Sequence, residues 1–317
     1  MQMPKWGLVA TIRAPTEEIL EFAAHHIELG AHRLFIYLDD DNRAAYDALK
    51  AHPKCRPTLT DAQYWRSLGI KRRVKHQSRQ FENARHAYAR AGDVDWLTHI
   101  DVDELLWPAR DLAAQLADLP PECLCARMRP LEALAPDGGA GPVTHFKACA
   151  PDRPTRRRQT REVYGDFGAV LNGGFLSHVA GKMIYRTGIE GLRVQIHNVF
   201  QGERMNPGER PLEETELLHL HAPGWDRFQS ALAYRLEKGS YRAELKPGAP
   251  REEGGMTMHE LLTHLIDEGG TEMLARFYHE VCTATPALRA RLAQHGLLRS
   301  YALDLARKRA GQFPNAP

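Results

Sequence analysis

Apolar runs of strand length alternate with amphipathic helical stretches through the first hundred residues, and two of those runs end directly in acidic clusters. Trp6 to Ile12 has the length and composition of a strand. Thr16 is placed to cap a helix, with Glu17 and Glu18 in its positive first turn, Ile19, Leu20, Ala23 and Ile27 on one face, and Gly30 at its end. Leu34–Leu38 is a second apolar run, closed by Asp39-Asp40-Asp41-Asn42. Arg43–Ala51 reads as a helix, Arg56–Thr60 as a weak strand and Val74–Ala91 as a long helix before Gly92. Trp96–Ile100 then runs straight into Asp101-Val102-Asp103-Glu104. This alternation implies a mostly parallel sheet with helices on both faces. Ligands collect at the carboxyl ends of the strands in such sheets, where both acidic clusters fall.

Composition removes several function classes. The formal net charge of +2 over 317 residues is not that of a dedicated nucleic-acid binder. No run approaches the ~18 apolar residues of a membrane span, and Met1–Arg13 lacks the apolar stretch of a secretory signal. The expectation is a cytoplasmic protein with at most peripheral membrane contact. Five scattered cysteines, Cys123 and Cys125 forming a C-x-C pair, fit reduced thiols better than a disulfide framework.

After Pro108 the pattern loosens. Asp111–Leu119 reads as a short helix and Cys123–Met128 as a strand. Residues 134–178, rich in Gly, Pro and Arg, read as a long loop carrying Arg156-Arg157-Arg158, and a loop that long in a compact domain usually serves a site or is mobile. Lys182–Arg186, Leu192–His197 and Leu217–His221 read as strands. From Trp225 onward the pattern is helical, broken by a Gly/Pro-rich segment at 247–255.

The acidic stretch 101–104 carries the most chemistry. Magnesium and manganese prefer oxygen ligands and commonly bridge carboxylates to phosphates. In extended backbone Asp101 and Asp103 face one side and Val102 turns into the core. His219 and His221 share a strand face in the same way and are candidate metal ligands, and His197, closing the strand Leu192–Ile196, is a further candidate functional histidine. Lys182 and Arg186 lie on one strand face, where they can meet phosphate oxygens. His259 and His264 imitate a zinc-protease helix with one residue too many: at i and i+5 they stand about 140° apart. No G-x-G-x-x-G, G-x-x-x-x-G-K-S/T or G-x-S-x-G motif occurs.

The segment DWLTHIDVDELLWP resembles the D-W-hydrophobic-D-x-D-E-F segment of family 2-like glycosyltransferases, which adopt the GT-A fold. The resemblance extends to LVATIRAPTEEILEFAAHHIELGAHRLFIYLDDDN upstream and HLHAPGWDRFQSALAYRLEKGSY downstream, covering roughly residues 6–110 and 180–242. Arg13 stands where that group has a Lys-Asn-Glu-like run, and Leu220 where it has an aromatic. The resemblance implies that Asp101 and Asp103 serve ribose, diphosphate and a Mn2+ or Mg2+ ion, supported by Glu104. It places Asp39 and Asp41 at the nucleotide, Arg13 and Asn83 near the donor, and His219 as the late metal or diphosphate ligand.

The expected architecture is therefore a GT-A-like, Rossmann-like α/β fold with a mixed central sheet, flanking helices and a helical C-terminal region. Residues 1–110 form the nucleotide-sugar half, 111–245 the acceptor and metal-completing half, and 246–317 the helical region. The expected reaction is metal-assisted, inverting transfer from a nucleoside-diphosphate sugar to a glycan, lipid or protein acceptor, without nucleic acid. An Asp or Glu would serve as base, with Asp152, Glu162 and Asp166 as candidates. A nucleotidyltransferase making a nucleotide sugar is one rival, although Ala14-Pro15-Thr16 stands where its Gly-rich loop belongs. A non-catalytic sugar- or nucleotide-binding module is the other.

Overall fold

A computed structural model of the chain describes residues 2–139, 141–247 and 251–316. Residues 248–250 of the Gly/Pro-rich segment thus lie outside the described residues. The elements run β1 (Trp6–Ile12), α1 (Thr16–Glu28), β2 (Arg33–Leu38), α2 (Arg43–Ala51), β3 (Cys55–Leu59), α3 (Ala62–Ser67), α4 (His76–Arg90), β4 (Trp96–His99), β5 (Glu104–Pro108) and α5 (Leu112–Ala117). Then come β6 (Cys125–Ala133), β7 (Thr144–Lys147), α6 (Arg153–Tyr164), β8 (Lys182–Arg186), β9 (Leu192–Val194), β10 (Val199–Gln201), β11 (Arg204–Met205) and β12 (Arg210–His219). The last elements are α7 (Trp225–Glu237), α8 (Met258–Cys282), α9 (Pro286–Gln294), β13 (Leu298–Tyr301) and α10 (Leu305–Gln312). This is the expected α/β architecture, with a mixed sheet, flanking helices and a largely helical C-terminal region.

The chain divides into two compact units along lines that differ from the sequence halves. The first comprises Met1–Arg129, Ala180–Leu217 and Asp304–Pro317, and the second Pro130–Val179 and Leu218–Leu303. In the first unit β1 pairs in parallel with β2 and β4, and β2 with β3, while β8 runs antiparallel to β4 and to the start of β6. All seven residues of β1 are buried, as a strand covered on both faces requires. Gly30 ends α1 at φ +95°, a conformation suited to glycine. Thr16 is not the cap: it is the first helical residue, and its hydroxyl donates to Asn42 Oδ1 at 2.9 Å. A small antiparallel sheet, β9–β10–β11, completes the unit.

In the second unit the end of β6 pairs with β7, and β7 with β13, all antiparallel. Helices α7, α8 and α9 bury Phe228, Leu262, Phe277, Val281, Leu288 and other apolar side chains in one core. Helix α8 breaks at Gly270, whose φ of 59° is not helical. The stretch expected as a loop holds α6, with Arg156–Arg158 inside it. Asp152 caps that helix through Thr155 N, and Pro154 suits its first turn. Its core-facing side is only Thr160, Val163 and Tyr164, too little to stand out in the sequence. No described helix is long and apolar enough to cross a membrane. The five cysteines are free thiols, and burial pushes the Cys125 and Cys282 thiols up to about 12.

Candidate active site

The first unit gathers its polar side chains at the carboxyl ends of β1, β2 and β4. Residues 101–103 form a turn rather than extended backbone, so strand alternation does not operate there and Val102 is half-buried instead of facing the core. The turn is closed by Glu104 N donating to Asp101 O at 3.0 Å and by Asp101 N donating to Glu104 Oε2 at 3.0 Å. Beneath it Lys182, the first residue of β8, is fully buried, its Nζ 2.7 Å from Asp101 Oδ2 and 3.1 Å from Glu104 Oε2. Burial would lower the Lys182 pKa, but the two carboxylates outweigh it and hold it above the ordinary range. Gln80 of α4 donates to the other Asp101 oxygen. Both Asp101 oxygens are thereby engaged by protein groups.

Three of the expected donor contacts, Asn83, Arg186 and Lys182, are engaged by other groups of the protein. Asn83 is fully buried: it accepts from Tyr64 Oη at 2.7 Å and donates to Thr11 Oγ1 at 2.9 Å, tying α4 to α3 and β1. Gln80, nearly one turn earlier, faces the acidic turn instead. Arg186 shares a strand face with Lys182, but four residues of strand put it about 13 Å away. There it packs over the Trp96 ring at 4.4 Å and donates to Cys123 O and Pro120 O. Lys182 itself meets carboxylates, not the solvent from which a phosphate would come.

At the end of β2, Asp39 sits in a cationic cradle. Arg79 Nε lies 2.8 Å from Oδ2, Arg72 Nη2 2.8 Å from Oδ1, and His76 Nδ1 3.5 Å from Oδ2, with the Thr60 hydroxyl at 3.3 Å. Burial alone would raise this carboxyl; the bonds from His76, Arg79 and Arg72 hold it well below the usual range. Asp41 is exposed and pairs with Arg43 at 2.7 Å, and Arg13 is exposed at the end of β1. Nothing in the sequence marked Arg72, His76, Arg79 or Gln80, because their partners lie 21 to 40 residues away.

Neutral imidazoles back the acidic turn. His99 is buried, and burial, then Lys182, lower its pKa to about 3. His197 bonds through Nδ1 to Gly181 O at 3.0 Å, so Nδ1 carries the proton and Nε2 is the acceptor nitrogen. Burial and Lys182 bring its pKa to about 4. Further back, His25 and His26 clamp Leu106 of β5: His25 Nε2 lies 2.8 Å from Leu106 O, and Leu106 N donates to His26 Nε2 at 3.3 Å. These are the late histidines of the first helix, and they fix the strand that leaves the turn.

In the second unit His219, ending β12, and His221 stand with ring centroids 5.0 Å apart. His221 Nε2 is 2.7 Å from Tyr241 Oη, and Arg235 donates to His221 O at 2.7 Å. Bonding one ring nitrogen to a fixed partner orients the other, the usual support for a metal-ligating histidine. His178 lies next to them, its ring centroid 6.4 Å from that of His219. Of the expected bases, Asp152 caps α6, Glu162 stands 3.6 Å from His295, and Asp166 is exposed.

No protein-family model matches the sequence, and no curated protein matches it. Among solved structures it is similar to a galactosyltransferase, LgtC, crystallised with donor and acceptor sugar analogues. Identity is 14%, with 57% of each chain covered, so the chain spans little more than half the length of that neighbour, and the TM-score is 0.24. A likeness of that size carries no assignment.

Proposed function

We propose that this chain is a GT-A-like glycosyltransferase that moves a sugar from a nucleoside-diphosphate sugar to an acceptor hydroxyl in the cytoplasm. The observation that carries the reading is the acidic turn at the carboxyl end of a parallel strand, held rigid by a buried lysine. Three carboxyl groups against one ammonium leave a net negative, preorganised turn where such sheets bind ligands. The donor types fit a divalent ion: in the first unit Asp103, half-buried in the turn, offers oxygen, and in the second His219 and His221 offer imidazole nitrogen. As the sequence implies, Asp103, His219 and His221 would serve as ligands of Mn2+ or Mg2+, which would supply positive charge toward a departing diphosphate.

The protein's own part is positional. Lys182, Gln80 and Glu104 hold Asp101 and with it the turn carrying Asp103. Arg13, Asp39 and Asp41 take the nucleotide end of the donor, Asp39 orienting Arg72 and Arg79 as it does so. The acceptor is a glycan, lipid or protein hydroxyl, and the reaction inverts if a carboxylate deprotonates it.

The test is a screen of nucleotide sugars for thermal stabilisation and slow hydrolysis, each with and without Mn2+ or Mg2+. A metal-dependent response to at least one donor is expected, and Asp103→Asn should remove most of it by taking away a charged oxygen ligand. A folded Asp103→Asn protein with the wild-type metal response would sink the assignment.

A further inference from the structure

The second unit contains a fully buried ion pair that the reaction above does not use. Glu132 near the end of β6 and Lys147 at the end of β7 are cross-strand partners, with Oε1 and Nζ 3.1 Å apart and 1% and 0% of the residues exposed. Burying two charges costs desolvation that their attraction roughly balances, so such a pair is weak evidence of stabilisation for its own sake. Its use lies in what else the two groups bond. Glu132 accepts from Leu176 N at 2.9 Å, from Ser177 N at 2.8 Å and from Ser177 Oγ at 2.6 Å. Lys147 donates to Gly174 O at 2.5 Å and to Val281 O at 3.0 Å. Four of these five bonds therefore fix residues 174–177. Gly174 has φ +76°, and a Cβ there would fall 2.1 Å from the Tyr164 ring, so only glycine fits at this position.

The next residue is His178, beside His219. We propose that His178 joins His219 and His221 as a third diphosphate-binding histidine of the second unit, giving a hydrogen bond to diphosphate oxygens, and that the Glu132–Lys147 pair is the device that positions it. The proposal rests on the donor reading above. A carboxylate suits the positioning task because one group accepts from two backbone amides and a hydroxyl at once. An apolar pair would fill the same space and leave residues 176–177 without acceptors.

The experiment measures by calorimetry the affinity for inorganic pyrophosphate, UDP, GDP and ADP, each with MnCl2. The proteins are wild type, His178→Ala, His178→Asn and Ser177→Ala. Removing a hydrogen bond to a charged group should weaken binding of the preferred ligand about tenfold in His178→Ala. His178→Asn, which keeps an N–H donor, should recover part of that loss. Ser177→Ala removes one bond to Glu132 and leaves the ion pair intact, whereas Glu132→Gln would leave Lys147 buried without its counter-charge. Ser177→Ala should weaken binding by a smaller factor at an unchanged melting temperature. Wild-type affinity in His178→Ala overturns the contact, and wild-type affinity in Ser177→Ala with a loss in His178→Ala overturns the positioning. If the wild-type protein binds none of the four probes, the donor reading itself fails, an outcome separate from either.

Discussion

Asp39 and Asp101 occupy equivalent places, each just past the end of a strand paired in parallel with β1, yet they are neutralised in opposite ways. Asp39 is met from the solvent side by Arg72 and Arg79, whose side chains are 48% and 11% exposed. Asp101 and Glu104 are met from below by Lys182, which has no exposure at all. Arg72, on the loop before α4, can swing into water if its partner is lost, Arg79 on the helix itself less so, and a lysine inside a sheet not at all. The Asp39 cradle, open to solvent through Arg72, is therefore the more adjustable arrangement, and the acidic turn the more rigid. That division suits a site that must admit varied nucleotide contacts at one strand end and hold fixed geometry at the other.

The largest effect should come from Lys182→Met. It strands the carboxylate of Glu104, 1% exposed, beside that of Asp101, and breaking a buried pair this way costs about 3–5 kcal/mol. Urea denaturation checks it; a loss below about 1 kcal/mol would mean that the turn is as adjustable as the cradle. Asp39→Ala should cost less, about 1–3 kcal/mol, because its cations can rehydrate. The same variant should bind its nucleoside diphosphate about tenfold more weakly. Equal affinity would reduce Asp39 to a turn acid held by its arginines.

The two counter-ion arrangements also fail at opposite ends of the pH scale. The Asp39 carboxyl is held below its unfolded value, so its contribution is present above about pH 4 and is lost as pH falls further. The Lys182 ammonium is held above its unfolded value, so its contribution is present below about pH 10 and is lost as pH rises beyond that. The stability gap between wild type and Asp39→Ala should accordingly narrow in acid, and that between wild type and Lys182→Met in alkali. Gaps that stay constant with pH would show that packing, not charge, separates the variants.

Much of the first unit was legible because its signals are local. Trp6–Ile12, Arg43–Ala51 and Lys182–Arg186 are continuous apolar or amphipathic stretches, and their bounds match the elements. The acidic stretch was visible as residues but not as a turn, since the bond closing it, from Asp101 N to the Glu104 side chain, leaves no mark on periodicity. The partners of its carboxylates were invisible because they come from α4 and β8, up to 81 residues away. Helix α6 was missed for a different reason: five arginines within twelve residues mask the three positions that face the core.

The smallest effect, and the cleanest test of the cradle's extent, belongs to Asp41. Its side chain is 78% exposed and forms a surface bridge to Arg43 two residues on. A bridge of that kind contributes roughly 0–1 kcal/mol, so Asp41→Ala should leave the denaturation midpoint almost unchanged. Any loss of nucleotide affinity in that variant then reports direct contact with the donor rather than a weakened fold, a separation that Asp39→Ala cannot provide. With solvent competing for an exposed carboxylate, the loss should be only about two- to fivefold, or about 0.5–1 kcal/mol. Calorimetry at low and high salt sharpens the result, because an exposed charged contact weakens as ions screen it, while the buried Asp39 cradle responds less. If Asp41→Ala binds as wild type at both salt concentrations, the adjustable region ends at Asp39, and the second and third acids of the cluster serve only the turn into α2.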